Sequence, residues 1–235
     1  MKKLALLSLF ALLFFTVSAF ADTLYFYGGD FDPNNPNANG LANENDAIVS
    51  GSPYGAATYQ NFVAGGSINV TGLFTNNLSG LNPGSGYWEI RSGVSEGNGG
   101  TLIASGTASG GNFSQTATGR SGFGFTEYTD KASGLSVSLG AGTYWFAVVP
   151  QDPNNGNRSF NSNTFGLNAV GTQNSNQQFF NSSLFGANFT NANNEGVFQT
   201  FSSGVYTGGV PEPSSLIMLG SGLVAAAGVV RRRLL

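Results

Sequence analysis

Hydrophobic side chains recur in this chain with a period of two, and no window of helical length has the spacing of an amphipathic helix. Leu135-Ser136-Val137-Ser138-Leu139 alternates apolar and polar residues as a half-buried strand does. After Gly140-Ala141-Gly142 comes Thr143-Tyr144-Trp145-Phe146-Ala147-Val148-Val149, a β-branched and aromatic run ended by Pro150. Together they predict a β-hairpin whose second strand is buried on both faces. Further strands are expected at residues 23–27, 58–63, 67–74, 87–91, 101–106, 113–118, 123–128, 164–170 and 197–201. Most are short and are separated by Gly, Asn, Ser and Pro clusters, which predicts an all-β fold: a single β-sandwich, jelly-roll or Ig-like, over residues 22–206. Within it, residues 154–194 are rich enough in Asn and Ser to suggest a partly mobile loop. The repeated phenylalanines there argue for burial. Asp-Pro-Asn-Asn occurs twice, at Asp32 and at Asp152, and reads as turn chemistry.

The two ends are addresses. Met1-Lys2-Lys3, the apolar residues 4–17 and Ala19-Phe20-Ala21 form the three parts of a signal peptide, 1–21, with signal peptidase expected to cut before Asp22. Residues 207–235 begin with a Thr207-Gly208-Gly209 spacer. Pro211-Glu212-Pro213 follows, where two prolines keep the chain extended and unpaired. Residues 214–230 carry no charge and as a helix would span ~25 Å at ~1.5 Å per residue, which predicts a short transmembrane helix. Arg231, Arg232 and Arg233 then form a basic anchor expected on the cytoplasmic side.

This order of Pro-Glu-Pro, apolar helix and arginine cluster resembles the PEP-CTERM sorting signal, found on exported proteins of Gram-negative bacteria that make exopolysaccharide. The resemblance implies that an exosortase-type membrane enzyme recognises Pro211, Glu212 and Pro213 and processes the tail. Those three would then be recognition residues of a substrate. It further implies a protein tethered by its C-terminal helix and destined for the cell surface or extracellular matrix, near polysaccharide. The phrase GLSVSLGAGTYWFAVV also resembles a hairpin of the β-sandwich ectodomains in that family.

Composition narrows the chemistry. Without the terminal segments, four basic residues (Arg91, Arg120, Lys131, Arg158) face eleven acidic ones, a net charge of −7. That is the wrong sign for a nucleic-acid partner. Neither Cys nor His occurs, so disulfides, thiol nucleophiles, Cys/His zinc sites and His-based triads are excluded. No G-x-S-x-G elbow is present. Glu89, Glu96, Glu127 and Asp130 are the acids a glycosidase could use, but no spacing orders two of them into a pair, and Glu127 has Lys131 nearby as an ion-pair partner. The expectation is a non-catalytic protein without a cofactor. Two binding possibilities stand beside it. Asp30, Asp32 and Asn34 offer oxygens at alternate positions, as a calcium loop does, although such a run is also ordinary turn composition. Trp88 and Tyr144 could stack on sugar rings as in a carbohydrate-binding module, or pack in the core.

Overall fold

The computed structural model describes residues 22–174, 177–195 and 200–208. The signal peptide, Pro211-Glu212-Pro213, residues 214–230 and Arg231, Arg232 and Arg233 lie outside them. Among the described residues no helix is long and apolar enough to cross a membrane.

The compact unit Asp22–Thr207 is built almost wholly of strands. In chain order they are β1 (Asp22–Tyr27), β2 (Gly40–Ala42), β3 (Asn45–Asp46), β4 (Ala57–Ala64), β5 (Ile68–Ser79), β6 (Ser85–Ser92), β7 (Thr101–Ser109), β8 (Phe113–Gly122), β9 (Phe125–Leu139), β10 (Gly142–Asp152), β11 (Ser159–Thr164), β12 (Phe179–Ser182), β13 (Ala187–Asn191), β14 (Thr200–Phe201) and β15 (Ser203–Gly208).

They form two sheets. In the first, the long β5 is central. One side carries β9 and then β8; the other carries β15 along residues 70–75, with β1 beyond it, and β11 along residues 77–79, flanked by β2 and β14. The second runs β13-β12-β4-β10-β6-β7, with β3 joining the end of β10 in parallel. The main core lies between the sheets. Phe26, Val70, Leu73, Leu139 and Val205 from the first meet Phe62, Ile90, Phe146 and Val148 from the second. This is a β-sandwich whose inner faces are supplied by alternate residues of each strand.

The alternation of Leu135, Val137 and Leu139 is as expected, with Ser136 and Ser138 exposed. The expected hairpin is not. β9 pairs with β5 and β8, whereas β10 pairs with β4 and β6, so Gly140-Ala141 carries the chain from one sheet to the other. Periodicity sets which face of a strand is buried but not which neighbour it hydrogen-bonds, and two consecutive strands buried on opposing layers satisfy the same pattern. β10 is covered on both faces as its sequence predicts: residues 144, 146 and 148 face the first sheet, while 145, 147 and 149 face a second apolar layer.

Other expectations need correction. The strand expected at 164–170 lies earlier, at Ser159–Thr164, in a stretch of small polar residues. The Asn/Ser-rich region contains β11, β12 and β13 and buries Phe179, Phe180 and Phe189, while Phe185 stays half exposed. The strand expected at 123–128 begins only at Phe125, because Phe123 and Gly124, both at positive φ, make the two-residue turn joining β8 to β9. Both Asp-Pro-Asn-Asn runs are turns, closed by Asn35 N–H to Asp32 O (3.2 Å) and Asn155 N–H to Asp152 O (3.0 Å).

Candidate functional site

The outer face of the second sheet is not a solvated surface. Strand alternation sends Tyr59, Tyr87, Glu89, Arg91 and Trp145 outward, and the β12–β13 hairpin closes over them. Phe189 packs 4.9 Å from the Tyr59 ring and Phe179 lies 6.3 Å from Trp145. The closure reaches the turn before β7. Gly97 N–H donates to Phe189 O (3.3 Å), Asn188 Nδ2 to Gly97 O (3.0 Å), and Asn191 N–H to Glu96 Oε2 (2.7 Å). A side chain at Gly99 would strike the Phe189 ring, which lies 2.5 Å from where a Cβ would stand.

Under this closure sits Glu89, 1 % exposed. Arg91, two residues on and so on the same face of β6, donates to it through Nε (2.6 Å) and Nη2 (3.3 Å), while its guanidinium lies 5.3 Å over the Phe189 ring. Tyr87 Oη donates to Glu89 Oε2 at 2.8 Å, and Tyr59 Oη donates to Oε1. Tyr59 in turn shares a 2.6 Å contact with Tyr54 Oη, which accepts from Asn181 Nδ2 at 2.8 Å. The direction of the chain is fixed, because a carboxylate only accepts. Tyr59 must donate to Glu89, so Tyr54 must donate to Tyr59, and Asn181 to Tyr54. Burial first, and the negative charge of Glu89 second, push the Tyr54 and Tyr59 hydroxyls above the usual phenol range. These phenols therefore stay protonated donors. The arrangement holds an aromatic ring in place and does not generate a phenolate nucleophile.

Tyr54 is the outward end of this chain. Its ring rests 5.5 Å from that of Tyr87 and forms part of a pocket of 360 Å³ with Ser52, Pro53, Asn181, Ser183 and Asn188. The lining carries no charge. A second, apolar hollow of 240 Å³ in the unit lies between Leu78, Phe123, Phe125 and Phe160.

The residues singled out in the sequence lie elsewhere. Trp88 and Tyr144 pack against the main core between the sheets; Trp88 covers Gly106 of β7 and Tyr144 stands 5.9 Å from Phe62. Nor does either strand present its other ring to solvent, since Tyr87 and Trp145 are 8 % and 5 % exposed beneath β12 and β13. Asp30 accepts from Tyr27 Oη (2.7 Å), Arg120 Nη1 (2.9 Å) and Asn168 Nδ2 (2.7 Å). Burial raises its carboxyl, but these donors outweigh that and hold it below the usual range. Asp32 Oδ1 accepts from Asn34 N–H at 2.9 Å, closing a turn, and the Asn34 side chain is exposed. Among the described residues no group of three or more acidic side chains converges as a metal site would. Sequence reasoning missed Tyr54, Tyr59 and Asn181. The signal available was the pair Glu89 and Arg91 at a spacing of two, which marks one strand face.

The remaining acids are absorbed by the body. Glu127 is met by Arg120 Nε (2.6 Å), Ser162 Oγ (2.5 Å) and Thr118 Oγ1 (2.8 Å), and not by Lys131, which lies 3.6 Å from Asp22 and over the Tyr206 ring. Glu44 pairs with Arg158 at 2.6 Å; burial nonetheless pushes its carboxyl up to about 7. Asp130, fully buried, has only the amides of Asn77 (2.7 Å) and Gln115 (3.0 Å), and burial pushes it to about 7 as well. All four cations of the body are thus engaged with carboxylates.

Comparison with known proteins bears on the tail. The family described as the PEP-CTERM protein-sorting motif matches residues 209–233. No curated protein matches the chain, and no solved structure does. The matched segment contains Pro211, Glu212, Pro213 and the three arginines, and it follows directly on β15. The chain is therefore a β-sandwich protein that carries a PEP-CTERM sorting motif.

Proposed function

We propose that the protein is a non-catalytic component of the cell surface or extracellular matrix. It would be exported through its signal peptide, held by its C-terminal helix, and released or transferred when an exosortase-type enzyme processes the tail at Pro211-Glu212-Pro213. The observation that carries this reading is the sorting-motif match over residues 209–233. Fractionation of cells producing the full chain and a chain lacking residues 209–235 tests it. The full chain partitions with the envelope before appearing outside, whereas the shortened chain goes directly to the periplasm or medium. Identical distribution of the two would refute it.

A second reading concerns what the body does once delivered. The strand order β1-β15-β5-β9 facing β4-β10-β6-β7, with the chain changing sheets between β4, β5 and β6, supports a jelly-roll in preference to an Ig-like fold. On it, the uncharged pocket beside Tyr54 favours a neutral, hydroxyl-rich ligand such as extracellular polysaccharide. The Oδ1 atoms of Asn181 and Asn188 and the hydroxyls of Ser52 and Ser183 are left to meet it, over a ring already fixed by Tyr59 and Asn181. Affinity electrophoresis in gels containing the host's own polysaccharide tests this reading. Retardation that is lost in Ser183→Ala/Asn188→Ala supports it, and unretarded migration of the native protein overturns it.

A further inference from the structure

We infer that this protein pairs with a second copy of itself, edge to edge, through β7. The observation is one of placement. Residues 101–119 form a run of nineteen without a charge or a proline, and the fold uses this run to make β7 and most of β8. Among the described residues β7 pairs only with β6 and β8 only with β9, so both sheets end on the same side in an unpaired strand. Such edges carry a row of free N–H and C=O groups, and soluble proteins commonly blunt them with lysine, proline or a covering segment.

Two strands at the opposite side of the sandwich have partners beyond them. Tyr27 of β1 exchanges both backbone hydrogen bonds with Val170 (2.9 Å each), and β13 is capped by the Glu96 and Gly97 contacts described above. On the open side the only device is a bulge at each strand's far end, at residue 103 in β7 and at 118–120 in β8. A regular stretch remains at 104–109 and another at 113–117.

The chemistry of β7 selects the partner. All eleven acidic residues of the body lie outside residues 101–119. This run is thus a neutral strip on an anionic molecule, the place where two like-charged copies can meet without repulsion. It offers no charge to attract a basic partner. A strand edge is also self-complementary under a two-fold axis, because two copies of one edge run antiparallel. β7 is favoured over β8 because Leu102 and Ile103, 45 % and 42 % exposed, stand beside its pairing stretch and would lose water on association, whereas β8 exposes no large apolar side chain. Because each copy uses the same β7 edge under a two-fold axis, this pairing closes a dimer.

The test is the mass in solution of the mature protein, by multi-angle light scattering or sedimentation across a roughly hundredfold dilution series. The native protein is expected to move between monomer and dimer. Thr107→Lys, at an exposed β7 position, should weaken the dimer on the order of tenfold or more by setting two ammonium groups across the axis. Thr107→Val and Thr116→Lys, the latter on β8, should leave it intact. Unchanged circular dichroism and thermal midpoint in each variant separate lost pairing from lost folding. A native protein that is monomeric throughout overturns the inference. So does a dimer that survives Thr107→Lys, or one broken by Thr116→Lys alone.

Discussion

Asp130 is a carboxyl sealed between strands with no cation to balance it, and this makes the stability of the whole sandwich depend on pH. Its carboxyl is held at about 7 in the fold against an ordinary value of 3.8. A group whose folded value is raised binds its proton more tightly when folded. Its contribution is fully present below pH ~4, is lost progressively as the pH rises to about 7, and changes no further above that. The gap of about three pH units corresponds to on the order of 4 kcal/mol at ~1.4 kcal/mol per unit. For a chain of this size that is a shift of about 2 M in the urea midpoint. Glu44, also raised to about 7 by burial, acts in the same direction, so the wild-type curve alone does not isolate Asp130. Asp130→Asn does. An amide mimics the neutral carboxyl, keeps one acceptor for Asn77 or Gln115, and cannot ionise. The variant should be about 1 kcal/mol less stable than wild type below pH ~4, from one unmet donor, and about 3 kcal/mol more stable near pH ~8, so the two curves cross between pH ~4 and ~5. Urea unfolding of both proteins from pH ~3.5 to ~8 measures this. Parallel curves would refute the reasoning and place the charge of Asp130 in contact with water.

Two further substitutions probe the site and a strained turn. Glu89→Gln removes the charge that Arg91, Tyr59 and Tyr87 all address and sets an amide donor against donors; a loss of about 3 kcal/mol in unfolding free energy is expected, and a loss below ~1 kcal/mol would show the network to be dispensable. Phe123 sits at φ 54°, a left-handed conformation natural to Asn or Gly, while its ring is 65 % exposed. Phe123→Asn should therefore raise stability by about 1 kcal/mol, read from the thermal midpoint, and a fall would mean that its contacts with Phe31 outweigh the strain.

Much of the architecture was legible in the alternation of residues 135–139 and in the apolar run of β10, because those patterns are set by burial. The partners of each strand were not. β9 and β10 look like a hairpin in sequence and belong to different sheets, since pairing is decided by how layers stack. β11 was displaced for another reason. Its sequence, SFNSNT, is nearly all buried, but with amides and hydroxyls that satisfy one another: Asn161 donates to Thr58 Oγ1 and Ser203 Oγ, and Ser162 to Glu127. A polar core leaves no hydrophobic period to read. The same limit applies to the site. Glu89 and Arg91 share a strand face by spacing alone, but Tyr54 and Asn181 come to them from strands and loops far off in sequence. Trp88 and Tyr144, open in the sequence to either sugar stacking or core packing, are half-buried against the main core.

The measurement closest to the central claim is the intact mass of the protein recovered from its own envelope or medium, with and without replacement of Pro211, Glu212 and Pro213 by alanine. A sorted and processed protein ends near residues 210–213 in the wild type and keeps its full tail in the variant. A full-length tail in both would contradict processing at this motif and leave a plain membrane anchor.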